Sequence, residues 1–176
     1  MTQVNKESIF DGHIKSIMPL LEKYFDYDLV IGIPFDDEAE ALPQVLQSID
    51  EVLDTRIGSR QLIVCAGDAS GKEVLKKVQE LELKHPHCAF VLPAEANGRG
   101  MAIRSLIEIA KILEADLLLF SANMATPQGP GIDGSLLESL LTPIQGQYDM
   151  VLGSLRRHLG IDSIAHMLAA PVLESF

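Results

Sequence analysis

Acidic residues follow two of the apolar runs in the sequence, at positions where a ligand could be held. Asp37 and Glu38 closely follow "LVIGIPF", and Asp68 directly follows "QLIVCAG". Carboxylates placed there can accept hydrogen bonds from ribose hydroxyls or from the N–H groups of a base. A structural alternative stays open, because Asp37 and Glu38 also suit the first turn of a helix, and Asp68 also suits a turn or a helix cap.

Arginines follow two other apolar runs. Arg99 stands between Gly98 and Gly100, and Arg156 and Arg157 follow "YDMVLGSL". Glycine lets the backbone approach a ligand closely, and a guanidinium can bind phosphate oxygens through two parallel hydrogen bonds. These residues are therefore candidates for a phosphate or acceptor site. The alternative for the glycine pair is a glycine-rich start of a helix with a solvated arginine.

The run "DLLLFSANM" ends differently, since Ser121, Ala122 and Asn123 carry no charge. Its apolar part is typical of a fully buried strand, and parallel α/β sheets hold ligands beyond the carboxyl ends of their strands. Mg²⁺ and Mn²⁺ prefer carboxylate oxygens. A hydroxyl and an amide at this strand end are suited to hydrogen bonding and not to tight metal binding.

Several common catalytic and phosphate-binding motifs are absent from the sequence. "GDASGK" is too short for a P-loop, and "NGRGMA" lacks the third glycine of a dinucleotide-binding fingerprint. Neither Gly-x-Ser-x-Gly nor His-Glu-x-x-His occurs. The two cysteines, Cys65 and Cys88, form no metal-ligand pattern, and we expect both to be buried and reduced.

The composition is that of an acidic globular protein. Its 176 residues include 14 Lys and Arg against 25 Asp and Glu, a net charge of -11. We therefore expect no nucleic-acid partner, because nucleic acid requires a basic face, although one or two arginines suffice for a small anion. No apolar run approaches the roughly 20 residues that cross a bilayer, and "MTQVNKESIFDGHIK" does not resemble a signal peptide. We expect a cytoplasmic protein without a membrane span.

Runs with strand and helix periodicity alternate along the chain. They predict strands over 28–35, 60–67, 88–94, 116–122 and 148–154, and helices over 8–25, 36–53, 71–85, 100–115, 133–144 and 160–176. Strand alternating with helix predicts an α/β fold of three layers, with a doubly wound, mostly parallel sheet. We divide the chain into an N-terminal helical segment, 1–26, and a nucleotide-binding-type domain, 27–176.

Four stretches, taken in order, carry motifs of one enzyme family. They read "VIGIPFDDEAEALPQVLQSI", "LIVCAGDASG", "NGRGMAIRSLIEIAKILEADLLLF" and "LLESLLTPIQGQYDMVLGSLRRHLGIDSIAHMLAAPVLESF". Together they resemble glycosyltransferases of the GT-A type, whose first strand ends in Pro-x-x-Asn-Glu and whose fourth strand follows a Gly-Lys-Gly-x-Ala-Leu helix. The last stretch is most similar to the family 2-like branch of glucosyl-3-phosphoglycerate and mannosylglycerate synthases. The resemblance covers residues 28–176.

The resemblance implies that the chain binds a nucleotide sugar, a UDP- or GDP-hexose, and transfers the hexose to a small hydroxyl acceptor. The positions that match the family's donor-binding motifs are Pro34, Asp37, Glu38, Asp68, Gly98, Arg99 and Gly100. Arg156 and Arg157 match a phosphate- or acceptor-facing arginine. Such a site requires the first and fourth strands to lie side by side.

The family's fourth strand ends in Asp-x-Asp, which binds the divalent metal between the two donor phosphates. Ser121 and Asn123 occupy the matching positions. Two unit charges about 4 Å apart attract by ~4 kcal/mol at an effective dielectric constant of ~20. A site that lacks both acids should therefore bind a divalent cation far more weakly. Mg²⁺ or Mn²⁺ dependence is therefore not expected. An inactive nucleotide-binding or scaffold module is the alternative function.

Two further expectations and one competing interpretation complete the comparison with this family. Its acceptor-binding segments follow the last helix, so we expect the acceptor half to be largely missing from residues 27–176. Apolar Met167, Leu168 and Val172 would then need covering, which predicts a homodimer. A nucleotidyltransferase would share the layers, but its glycine-rich first loop is not present in "PFDDEAE".

Overall fold

The computed structural model describes residues 6–35, 42–53, 60–67, 72–96 and 98–119, together with positions 139, 140 and 142. The chain forms two compact units, Met1–Leu141 and Thr142–Phe176. Positions 139, 140 and 142 are helical, within the helix predicted over 133–144. The predicted strand over 148–154 and the predicted helix over 160–176 lie outside the described residues.

Helices and strands alternate through the described part of the first unit. In chain order they are α1 (Lys6–Leu21), β1 (Leu29–Phe35), α2 (Leu42–Leu53), β2 (Gln61–Gly67), α3 (Lys72–Gln79), β3 (His87–Val91), α4 (Arg99–Ile112) and β4 (Asp116–Leu119). A single 3-10 turn follows α1 at Glu22–Tyr24, and another, the 94–96 turn, lies between β3 and α4. Among these described helices, none has the length and apolar character that crossing a bilayer requires.

The four described strands form one parallel sheet in the order β3-β2-β1-β4. β1 pairs along its whole length with β2, and its first part, Leu29–Gly32, pairs with Asp116–Leu119 of β4. An α/β fold with a parallel sheet is therefore confirmed, and so is the predicted placement of the first and fourth strands side by side.

Alternate residues of the strands contribute to two separate apolar cores. Because successive side chains of a strand point to opposite faces, the two cores lie on the two faces of the sheet. The α2/α3 core includes Ile31, Ile33, Ile63 and Cys65 from the strands and Leu46, Ile49, Val74 and Val78 from the helices. The α1/α4 core includes Val30, Leu62, Val64 and Ala66 from the strands and Phe10, Ile17, Leu106 and Ile109 from the helices. Helices therefore cover both faces.

The chain changes direction across the sheet between β3 and β4. β1, β2 and β3 are added one beside the next, and α4 then crosses back over β2 and β1 before the chain enters β4. The connection after β1 runs through α2 on one face, whereas the connection before β4 runs through α4 on the other. The junction of β1 and β4 is the switch point, the place where such sheets bind ligands.

The structure corrects the predicted length of α3, which ends at Gln79 and not at residue 85. Leu81 and Leu83 both pack against the α2/α3 core, a spacing of two that belongs to extended chain. The backbone N–H of His85 donates to the carboxylate of Asp50, and the following proline disfavours a helical conformation at residue 85. Leu81 alone continues the helical stripe of Val78 and Val74, three and seven residues before it, which is why the sequence pattern predicted a longer helix.

The two cysteines are free thiols, as predicted, but Cys65 alone is buried, whereas Cys88 is only partly buried. Cys65 is buried in the α2/α3 core, and Cys88 packs against the α1/α4 core. The neighbouring strands β2 and β3 therefore hold the two side chains on opposite faces of the sheet, where they cannot form a disulfide. Burial raises the pKa of Cys65, and it raises the pKa of Cys88 to about 12. Both thiols stay protonated near neutral pH.

Candidate functional site

The two ends of the parallel strands define two edges of the sheet with different residues. The carboxyl edge is formed by the last residues of the strands, Phe35, Gly67, Val91 and Leu119. The amino edge is formed by the first residues of the strands, Leu29, Gln61, His87 and Asp116. The predicted site belongs at the carboxyl edge.

The carboxyl ends of β1 and β2 meet through an aromatic ring and a glycine. Phe35 and Gly67 are partners in the strand register, and Phe35 is only 3% exposed. A Cβ at Gly67 would collide with Cε2 and Cζ of the Phe35 ring, so a larger residue would have to displace that ring. Sequence reasoning missed this pair because it depends on the register between strands. The available signal was a glycine at the end of an apolar strand.

Gly98 precedes α4 in a backbone conformation that is essentially restricted to glycine. Its φ is 101° and its ψ is 159°, a combination that other residues adopt only with strain. The backbone N–H groups of Met101 and Ala102 both donate to the Gly98 carbonyl oxygen at 3.0 Å. Gly98 supplies no side-chain cap. The polar groups at the positive end of the α4 dipole are therefore the backbone N–H groups of the first turn.

Arg99 and Gly100 form the exposed first residues of α4. None of the described residues lies within 4 Å of a Cβ built at Gly100, so this glycine has no steric reason to be there. Glycine in a helix is less favourable than alanine by about 1 kcal/mol. The guanidinium of Arg99 and the positive end of the helix dipole both favour an anion. The structure thus brings the predicted triplet together beyond the carboxyl end of β3.

Pro34, the remaining predicted site residue that the structure describes, lies in β1 opposite Ala66 and is buried. Gly32 of β1 pairs with Leu119 of β4. The two strands are thus aligned where they lead toward the site residues predicted after β1 and after β4. The other predicted site residues lie outside the described residues: Asp37, Glu38, Asp68, Ser121, Asn123, Arg156 and Arg157.

At the amino edge, a buried carboxylate that the sequence analysis did not identify holds the segment before β3. Asp50 of α2 is 5% exposed. Its Oδ2 accepts the backbone N–H of Lys84 at 3.0 Å, and its Oδ1 accepts the backbone N–H of His85 at 2.9 Å. Nδ1 of His85 also lies 2.8 Å from Oδ1. The visible signal was an acidic residue on the apolar stripe of α2, between Leu46 and Leu53.

The environment of Asp50 favours its charged form. Burial alone would raise the pKa of Asp50, but the two backbone hydrogen bonds and the hydrogen bond and charge of His85 outweigh burial and hold the pKa below its usual value. An Asp–His pair can orient an imidazole for acid–base chemistry. Here the carboxylate also binds two backbone N–H groups of the segment that leads into β3, so its role is structural.

A second polar set at the amino edge is exposed. The Arg60 guanidinium lies 3.7 Å from Asp26 and 3.8 Å from Asp28. Exposed ion pairs of this kind contribute about 0–1 kcal/mol. The backbone of Asp28 does more, because its N–H donates to the carbonyl of Arg60 and its carbonyl accepts the N–H of Asp116. These bonds fix how β1, β2 and β4 begin relative to one another.

The described part of the chain does not gather the ligands of a metal site. Within the described ranges, no three or more His, Cys, Asp or Glu side chains are grouped so that they could hold a metal ion. Ser121 and Asn123, which lie outside the described residues, carry a hydroxyl and an amide, and these are weak ligands for a hard divalent cation. In the described part of the carboxyl edge, the Arg99 guanidinium and the positive end of the α4 dipole supply positive charge.

No protein-family model, no curated protein and no solved structure matches the chain. A fold alone does not specify a function. The function is therefore inferred from the residues at the carboxyl edge.

Proposed function

We propose that this chain binds a nucleotide-diphosphate sugar at the carboxyl edge of its sheet and transfers the hexose to a small hydroxyl acceptor. The observation that carries the proposal is the strand order β3-β2-β1-β4, because it makes the ends of β1 and β4 neighbours at the switch point. In the GT-A type glycosyltransferases that the sequence resembles, the donor-binding motifs follow these same two strands.

The nucleoside half of the donor is assigned to the acidic residues after β1 and β2. Asp37 and Glu38 accept hydrogen bonds from the ribose or the base, and Asp68 accepts a base N–H. The buried Pro34 and the Phe35–Gly67 contact support this assignment indirectly, since they fix the strand ends from which these segments depart.

The diphosphate half is assigned to the start of α4. Gly98 lets the backbone turn into the helix, and Arg99 stands at the positive end of the helix dipole. Its guanidinium can bind two phosphate oxygens at once. Arg156 and Arg157 add positive charge on the phosphate or acceptor side.

In this chemistry the protein chiefly positions the donor and stabilises the leaving group. The acceptor oxygen forms a bond to the anomeric carbon while the bond from that carbon to the diphosphate oxygen breaks. The hydroxyl proton passes to solvent water, and negative charge collects on the diphosphate. Arginine and backbone N–H groups stabilise that charge in place of a divalent cation.

A second function is favoured by one observation, the replacement of Asp-x-Asp by Ser121-Ala122-Asn123. In this alternative the chain is an inactive module that binds a nucleotide or only supports an assembly. The two functions differ in turnover, because only the enzyme releases UDP or GDP from the donor.

Calorimetry with UDP, GDP and their hexose conjugates, with and without Mn²⁺, tests the proposal. We expect binding without Mn²⁺, weakened about tenfold or more in Arg99→Ala because a charge-assisted hydrogen bond is lost. Arg60→Ala is the matched control, since it removes the same charge from the amino edge, and its affinity should equal that of the wild type.

The remaining outcomes separate the alternatives. Binding only in the presence of Mn²⁺ would contradict the arginine-based site. Binding without release of UDP or GDP would support the inactive module. Heat signals absent for every nucleotide and conjugate would refute a nucleotide site at this edge.

A further inference from the structure

α1 carries a histidine in its core-facing stripe. Phe10, Ile17 and Leu21 are 1%, 5% and 2% exposed and form the apolar stripe of this helix. His13 lies one turn after Phe10 and one turn before Ile17, so it occupies the same face. Its ring contacts the Phe90 ring of β3, with 5.6 Å between centroids and 48° between the planes.

The imidazole of His13 has a buried nitrogen without a partner. Nε2 is inaccessible to solvent, and no described residue forms a hydrogen bond with it. Desolvation by burial lowers the pKa of His13 below its usual value. A neutral ring tolerates this position at moderate cost, whereas an imidazolium there would be a partly buried charge without a hydrogen-bond acceptor.

None of the described charged side chains around His13 is placed to act as its counter-ion. Across the interface, the Arg104 guanidinium of α4 lies 4.5 Å from the centroid of the Phe10 ring. The described titratable or charged groups on α1 and on the elements around it are Asp11, Lys15, Glu22, Lys23, His87, Cys88, Glu95, Arg99, Arg104, Glu108 and Lys111. No described carboxylate lies within ion-pair distance of the His13 ring.

α1 covers the connection that leads from β3 to the candidate site. It packs against the 94–96 turn and against α4. Leu92, between β3 and that turn, is 1% exposed in the same core as Phe10, Ile17 and Phe90. Gly98 and the first turn of α4 begin two residues after the 94–96 turn in the sequence, so the docking of α1 supports the segment that carries Arg99.

We propose that α1 is an acid-sensitive clamp on the β3–α4 connection, with the neutral ring of His13 against Phe90 as its sensor. When His13 binds a proton, the charged ring leaves its partly buried position and α1 detaches from the 94–96 turn. The start of α4 then loses its support, which couples mild acid to the carboxyl edge of the sheet.

Amide hydrogen exchange at about pH 7.5 and about pH 5.5 tests this clamp, after correction for the intrinsic exchange rates. Protection of α1 and the 94–96 turn should fall at the lower pH by up to about tenfold, the limit set by a released imidazole with a pKa of about 6.5. Protection of α2, which packs on the other face of the sheet, should not change. A loss of equal size in α2 would mean general destabilisation and would overturn the proposal.

Variants identify the sensor. His13→Phe keeps an aromatic ring against Phe90 without a titratable group, and His13→Gln provides a second neutral side chain should the larger ring disturb packing. Both should abolish the pH dependence in α1, while His87→Gln on β3 should retain it. Persistence of the pH dependence in both His13 variants, or its absence in the wild type, would overturn the proposal.

Discussion

The polar groups at the two edges of the sheet differ in burial: those around Asp50 are buried and paired, whereas those at the start of α4 are exposed. At the amino edge, Asp50 satisfies the backbone N–H groups of Lys84 and His85 from a buried position. At the carboxyl edge, α4 begins after Gly98 with no side-chain cap and with an exposed arginine. Polar groups that satisfy one another in a buried place stabilise a fold, and a helix start without a side-chain cap, beside an exposed arginine, suits an anion. We therefore assign a stabilising role to the amino edge and propose ligand recognition for the carboxyl edge.

The largest effect is expected at the amino edge, from Asp50→Ala. This change leaves two backbone N–H groups and the His85 ring without their acceptor in a buried place, which should lower the free energy of unfolding by about 3 kcal/mol. Urea denaturation measures it. Glu51→Ala changes the neighbouring exposed acid of α2 and should stay within about 0.5 kcal/mol of the wild type. A loss below about 1 kcal/mol for Asp50→Ala would remove the contrast between the edges.

At the carboxyl edge, Gly98→Ala should lower the free energy of unfolding by about 1–3 kcal/mol, because alanine is strained at a φ of 101°. Gly100→Ala is the matched control. It adds a Cβ into open space within the helix and should raise the free energy of unfolding by about 0.5–1 kcal/mol. Thermal or urea unfolding of the two variants checks both signs. Equal destabilisation by both would contradict the conformational role assigned to Gly98.

Acid should weaken the amino edge through Asp50. Its folded-state pKa lies below the unfolded value of about 3.9, so its stabilisation is fully present above that pH and is lost as the pH falls through the lower folded value. Asp50→Asn should therefore show a flatter decline of the free energy of unfolding below about pH 4. The measurement is a series of urea denaturation curves over pH. Identical slopes for the two proteins would show that Asp50 does not contribute.

The smallest effect is expected where α4 ends, at the amino edge. Glu114 adopts a φ of 52°, and Ala115 donates its N–H to the carbonyl of Ala110, the arrangement in which glycine usually follows a helix. Glu114→Gly should raise the free energy of unfolding by about 0.5–1 kcal/mol by removing the left-handed strain. Glu80→Gly, after α3, is the control. It should lower the free energy of unfolding, since Glu80 is not among the described residues with positive φ.

Much of the fold could be predicted from the sequence because its signals are local. The apolar run that ends with Pro34 and Phe35 predicted the end of β1 correctly and its start to within one residue. The alternation of strand and helix patterns indicated the parallel sheet. The end of α3 could not be predicted, because the chain after it is held by Asp50 from another helix. Hydrogen bonds between distant segments leave no local periodicity.

The candidate site likewise has some features that the sequence predicts and others that only the structure shows. The glycines around Arg99 were visible as a triplet, and the structure supplies the conformation of Gly98 that the letters could not. The Phe35–Gly67 contact depends on strand register and was missed for that reason. The acidic residues Asp37, Glu38 and Asp68 remain predictions.

The most direct measurement maps ligand binding onto the two edges. A ¹⁵N-labelled sample titrated with a UDP-hexose and with a GDP-hexose reports each backbone amide. We expect shifts at the carboxyl edge, at Phe35, Gly67 and Gly98 through Met101, and none at Arg60 or His85. Shifts concentrated at the amino edge, or none at any amide with either compound, would contradict the proposed site.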